Sequence, residues 1–203
     1  MARARIAERE MTPAKSNPEK NRRAVFLDRD GTIAEEVGYA NHLSRFAVYP
    51  FAARAIRQLN AAGVPVIVVT NQSGVARGFF PESLVEQMHD KMSAELAAGG
   101  AHVDAVYYCP HVREDACPCR KPLPGMLEQA AREHGLSIRG SVLVSDRYND
   151  IRMGQESGCR TILVLSGYGR GEYEWNRAHW PLQPDYVAEN LADAVEIILQ
   201  ELV

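Results

Sequence analysis

The chain has 203 residues, 46% of them hydrophobic, with 23 Lys and Arg against 26 Asp and Glu for a net charge of −3. That length supports one well-buried domain, and the slightly acidic balance argues against a general nucleic-acid binder. No apolar run reaches the ~20 residues of a membrane span, so no membrane partner is expected.

Residues 1–23 are polar, basic and without apolar periodicity, and read as a disordered tail. They lack the apolar centre of a secretory signal. A reducing cytoplasm is therefore expected, where clustered cysteines bind metal or catalyse rather than pair.

Residues 24–203 read as a single domain of alternating strands and helices. AVFLD (24–28) is a short apolar run ending in acid. PFAARAIRQLNAAG (50–63) has helical spacing and a Gly stop, and VPVIVVT (64–70) is apolar throughout, as a strand covered on both faces should be. A helix follows over 81–100, a strand over 103–108 and a helix over 124–135. SVLVSD (141–146) is a buried strand, 149–158 a short helix and TILVLSG (161–167) a strand. The glycine-spaced GYGRGEYEW (167–175) is expected as a loop, with Arg170 a remote substrate candidate. A short strand and a helix capped by Asn190 close the chain. The alternation predicts an α/β, Rossmann-like fold, a central parallel sheet with helices on both faces. The gaps between strands leave no room for a separate cap domain.

In such sheets the site lies at the carboxyl ends of the strands. Asp28 ends the first strand, with Asp30 just beyond; Thr70 and Asn71 end the second; Asp146 ends the fourth. A buried ionised acid needs a partner, and a hard cation such as Mg2+ supplies one, shared by Asp28 and Asp146. Thr70 and the N–H groups after it suit phosphate oxygens. Lys121 offers a point charge for phosphate and Arg120 a planar fork.

Cys109, His111, Cys117 and Cys119 form a Cys3His set within eleven residues, a common structural Zn2+ combination. Four protein ligands leave no open position for catalysis. The loop 109–119 runs directly into Arg120 and Lys121, so fixing the sulfur fixes the start of the charged segment. Cys159 reads as a buried apolar residue.

DRDGT, VVTNQSG, CRKP and VSDRYND, in this order, resemble the four motifs of the haloacid-dehalogenase-superfamily phosphatases. FLDRDGTI, GYA, TNQSG and CPCRKPLPGM are similar to the D-glycero-D-manno-heptose 1,7-bisphosphate 7-phosphatase family, with the histidinol-phosphatases as close cousins. The resemblance implies that Asp28 is the nucleophile and Asp30 the general acid and base. It implies that Asp28, the Asp30 carbonyl and Asp146 hold Mg2+, that Thr70 and Lys121 steady the phosphoryl group, and that Arg120 contacts substrate or phosphate. Asp150 would orient Lys121 or the metal shell. A flap gives Glu36, Val37, Gly38 and Tyr39 as substrate contacts, joined by Asn71, Gln72, Ser73 and Arg147. One departure is Ser145, where the superfamily usually has Gly; its small side chain is expected to preserve the turn.

The reading is thus a cytoplasmic, monomeric phosphatase of a small phosphorylated sugar. Histidinol phosphate is the alternative substrate, and a zinc-containing binding module without catalysis the reading from another class.

Overall fold

The computed structural model describes residues 3–5 and 22–201. Seven strands form one sheet in the order β1-β4-β3-β2-β5-β6-β7. They are β1 (Arg3–Arg5), β2 (Arg22–Leu27), β3 (Val66–Asn71), β4 (Ala105–Cys109), β5 (Leu136–Ser145), β6 (Arg160–Val164) and β7 (Tyr186–Ala188). All pair in parallel except β1, which runs antiparallel to β4. Of the expected tail, Arg3–Arg5 form that edge strand and Arg22 and Arg23 open β2; the remainder lies outside the described residues.

Strand residues alternate between two cores, as the two-residue side-chain period requires. Val25, Leu27, Val66, Val68, Val142 and Val144 face one core. Helices α1 (Ala52–Ala61), α2 (Glu82–Ala98) and α6 (Leu191–Glu201) cover it. Helix α1 does so with Ala52, Ala55, Ile56 and Leu59, spaced for one helical face. Burying Ile56 and Leu59 contributes roughly 1.5–3 kcal/mol each. Phe26, Ile67, Val69 and Leu143 face the other way, against α3 (Gly125–His134) and α4 (Tyr148–Glu156) through Met126, Leu127, Ala130 and Met153. At the start of α6 the Asn190 Oδ1 accepts the Ala192 N–H at 2.8 Å, the cap its sequence position suggests.

Two local expectations need correction. The stretch expected as a loop after β6 forms helix α5 (Gly169–Asn176). Its first glycine is there for close approach: a Cβ on Gly169 would lie 1.8 Å from the Val164 carbonyl. Arg170 leaves the site altogether, pairing with Glu189 at 2.5 Å and Glu174 at 3.7 Å. Strand β5 also begins five residues before its apolar run. Leu136 and Ser137 pair with Arg22 and Arg23 at the half-exposed end of the sheet, where Leu136-Ser137-Ile138-Arg139 alternates apolar and polar residues and Gly140 separates it from the apolar run.

Chain order reverses between β2 and β5. Strands β2, β3 and β4 step one way from the centre, and β5, β6 and β7 the other. The carboxyl ends at that switch point carry Asp28 and Asp146. The flap 29–51 is tied down by bridges Asp30–Ala34 and Ala34–Val48, and the described residues contain no separate cap domain.

Candidate active site

Asp28 leaves β2 with its N–H on the Val144 carbonyl at 3.0 Å, which locks the strand end against β5. Its Oδ1 accepts the Arg29 N–H at 2.7 Å and its Oδ2 lies 2.9 Å from Lys121 Nζ. Lys121 also meets Asp150 Oδ2 at 2.5 Å and donates to the Val69 carbonyl at 3.1 Å. Burial pushes the Asp28 carboxyl up and the Lys121 cation opposes it. For Lys121, burial favours the neutral amine, but Asp150 and Asp28 outweigh it and hold the amine above its usual range. Lys121 is thus a buried cation shared between two carboxylates.

Asn71 fixes the Lys121 backbone. Its amide donates to the Lys121 carbonyl at 3.2 Å and accepts the Lys121 N–H at 3.1 Å. Ser145 donates to Asp150 Oδ2 at 2.9 Å and accepts the Arg147 N–H at 3.1 Å, so its hydroxyl joins the cluster while the turn is kept.

Asp146 is fully buried beside Asp28. Its Oδ2 accepts the Tyr168 N–H at 2.8 Å, whereas its Oδ1 has no hydrogen-bond partner. Burial, then Asp28, pushes its carboxyl up to about 8. Two glycines with left-handed backbone hold this group: a Cβ on Gly31 (φ 76°) would lie 2.1 Å from Oδ2, and one on Gly167 (φ 57°) 2.2 Å. An orphaned carboxylate oxygen beside a second carboxylate fits a hard divalent cation.

A cavity of roughly 360 Å3 opens over this floor. Of the expected residues, Asp28, Asp30, Glu36, Gly38, Tyr39, Thr70, Asn71, Ser73, Arg120, Lys121 and Arg147 line it. Val37 does not; it packs against the core under the flap. Gln72 is likewise outside the lining, buried and donating to Thr70 Oγ1 at 2.9 Å and Asp30 Oδ2 at 2.8 Å. Arg120 donates back to the His111 carbonyl at 2.9 Å. The cavity adds Arg113, Asn149 and Tyr168, none of them expected as a site residue, although Asn149 lies within VSDRYND. Arg113 sits in the cysteine loop, and Tyr168 lies 4.5 Å under the Arg147 guanidinium.

The ligand atoms of Cys109, His111, Cys117 and Cys119 all lie within 4.8 Å of one another. The three Sγ atoms are 3.3–3.5 Å apart and His111 Nδ1 is 3.4–3.6 Å from two of them. A tetrahedron with Zn–S of about 2.3 Å and Zn–N of about 2.0 Å has edges of roughly 3.5–3.8 Å, so the arrangement is close to that of a closed zinc site.

Residues 118–194 match the family model described as HAD-hydrolase-like. The D-glycero-D-manno-heptose-1,7-bisphosphate 7-phosphatase of Thermosynechococcus vestitus is 41% identical over 192 residues, spanning 89% of this chain and 97% of its own. The chain belongs to that phosphatase family. The β-anomer-named enzyme of Pasteurella multocida is 37% identical over 184 residues, 87% of this chain and 97% of that one. The crystal structure of the D,D-heptose 1,7-bisphosphate phosphatase from B. bronchiseptica, complexed with magnesium and phosphate, superposes with a TM-score of 0.81. It is 36% identical and covers 88% of this chain and 99% of that one.

Proposed function

We propose that the chain is a Mg2+-dependent phosphatase that removes the 7-phosphate of D-glycero-D-manno-heptose 1,7-bisphosphate through an aspartyl-phosphate. The observation that carries this reading is Asp28, a buried carboxylate backed by Lys121 at 2.9 Å on the floor of a polar, arginine-rimmed cavity. Family membership supports the substrate class.

Asp28 attacks phosphorus while the bond to the sugar oxygen breaks, and Asp30 gives that oxygen its proton. Asp30 then takes a proton from water as the water attacks the aspartyl-phosphate and frees Asp28. Lys121 and Thr70 offset charge on the phosphoryl oxygens. Asp28, the Asp30 carbonyl and Asp146 would hold Mg2+, which supplies further charge neutralisation when bound. Glu36, Gly38, Tyr39, Ser73, Arg120 and Arg147 would contact the sugar and its second phosphate. Zn2+ held by Cys109, His111, Cys117 and Cys119 would be structural, fixing the loop that delivers Arg120 and Lys121. Its thiolates suit a reducing compartment. No helix among the described residues is long and apolar enough to cross a membrane.

The test is Mg2+-dependent phosphate release from both anomers of the heptose bisphosphate and from histidinol phosphate at equal concentrations. A kcat/KM favouring a heptose bisphosphate by at least a hundredfold is expected. A preference for histidinol phosphate would overturn the substrate while leaving the catalytic roles intact.

A further inference from the structure

Beside the site lies a buried cation that the mechanism above does not use. Arg29 is 2% exposed, its side chain enclosed by Asp30, Phe46 and His89 rather than in solvent. Its Nε and Nη2 donate to Asp30 Oδ1, both at 3.1 Å, and Nη2 also donates to Asp30 Oδ2 at 2.9 Å. The remaining arm, Nη1, lies 3.1 Å from Nε2 of His89, itself buried on α2. A guanidinium only donates, so His89 accepts there as a neutral ring. The Phe46 ring covers the guanidinium at 5.1 Å, and His89 is wedged edge-on against Tyr108 at 5.4 Å.

We propose that Arg29, backed by His89, is a positioning residue that holds the Asp30 carboxylate in register with the leaving oxygen. The proposal rests on the acid and base role of Asp30 given above. Three features carry it. The two oxygens of Asp30 are held by a planar fork, which fixes the carboxylate plane as a point charge does not. Gln72, which follows β3, also donates to Oδ2 at 2.8 Å, so the carboxylate is held from two segments of the chain. Asp30 nevertheless still lines the cavity. A guanidinium is costly to bury, and here its partners are the functional acid and a histidine from a helix 60 residues away. The clamp thus couples the seating of α2 to the geometry of proton transfer.

A misplaced acid slows expulsion of a poor leaving group and spares a good one, because an aryl oxide departs without protonation. The experiment measures leaving-group release in the first turnover for the heptose bisphosphate and for 4-nitrophenyl phosphate. It uses the wild type, Arg29→Lys, His89→Leu, His89→Gln and, as reference, Asp30→Asn. Arg29→Lys keeps the charge and loses the fork. Its release of the sugar should fall by more than about tenfold, a part of the 10²–10⁴ a general acid contributes, while nitrophenol release falls less than about threefold. His89→Leu should show a smaller effect of the same kind, and His89→Gln, which keeps an acceptor, should restore it. This pair remains informative where Arg29→Lys fails to fold. Equal losses for both leaving groups, or no loss in either Arg29→Lys or His89→Leu, would overturn the proposal and leave Arg29 a structural ion pair. Lack of leaving-group dependence in Asp30→Asn would instead overturn the acid assignment, and the clamp with it.

Discussion

Lys121 Nζ lies 2.9 Å from Asp28 Oδ2, although Asp28 follows β2 and Lys121 lies in the segment between β4 and α3, and neither is more than 7% exposed. The shared cation lets two buried carboxylates, Asp28 and Asp150, coexist, since Asp150 stands 2.5 Å from the same nitrogen. It also leaves a positive charge beside the point where a phosphoryl group would bond to Asp28.

Replacing Lys121 by Met should therefore act twice. Two buried acids lose their common partner, which should cost about 3–5 kcal/mol in denaturant unfolding, as removal of one partner of a buried ion pair does. Turnover should fall by at least about a hundredfold, as loss of an electrostatic contact to a transferring group does. A variant that unfolds at the wild-type midpoint would refute the shared-cation account.

Asp28→Asn should abolish steady-state turnover and form no acid-stable phosphoprotein after mixing with labelled substrate. Asp30→Asn should keep the ability to be phosphorylated by an aryl phosphate and lose turnover. Trapping and mass spectrometry distinguish the two outcomes.

Gly31→Ala would place a methyl group 2.1 Å from Asp146 Oδ2 on a left-handed backbone. The carboxylate must shift, so the Mg2+ concentration for half-maximal activity should rise by about tenfold or more. An unchanged Mg2+ titration would show that Asp146 is not a ligand.

Metal analysis of protein purified without chelator should find about one Zn2+ per chain, and Cys119→Ser should lose it. Zinc removal should lower the melting temperature and activity together, because Cys119 adjoins Arg120 and Lys121. Cys159→Ser should keep its zinc: that thiol is buried apart from the cluster, and burial pushes it up to about 12.

Asp185 joins β6 to β7 by accepting the Thr161 N–H at 2.8 Å and its hydroxyl at 2.9 Å, with Arg160 at 3.2 Å. Burial opposes ionisation, but these partners prevail and hold the carboxyl below its usual range. A depressed folded value means stability present above the unfolded value of about 3.9 and lost as pH falls through the folded one. Asp185→Asn should thus be about 1–2 kcal/mol less stable than the wild type in urea at pH 7, with the gap closing as pH falls through the depressed folded value. A constant gap would refute the charge-based account.

Much of this was legible from local sequence. Apolar runs ending in Asp28, Thr70 and Asp146 declare strand ends, because a buried strand cannot hold an unpaired acid before its terminus. The spacing of Cys109, His111, Cys117 and Cys119 declares a metal loop, because ligands two residues apart on a turn reach one ion. Helix α5 was missed because its glycines are weak helix formers, and what they serve is close packing against the end of β6. The inward turn of Val37 and the withdrawal of Gln72 behind Thr70 were also hidden, since nothing in a flap or turn sequence states which side faces the cavity.

The sequence by itself determined the alternation, the chemistry at the strand ends and the soft-ligand loop, all written within a few residues. Only the tertiary structure decided that Lys121 serves both Asp28 and Asp150, that Gly31 and Gly167 flank Asp146, and that His89 stands behind Arg29. Those contacts join positions far apart in the chain. They exist because helices packed on a twisted sheet bring chosen side chains together in three dimensions, which no one-dimensional period records.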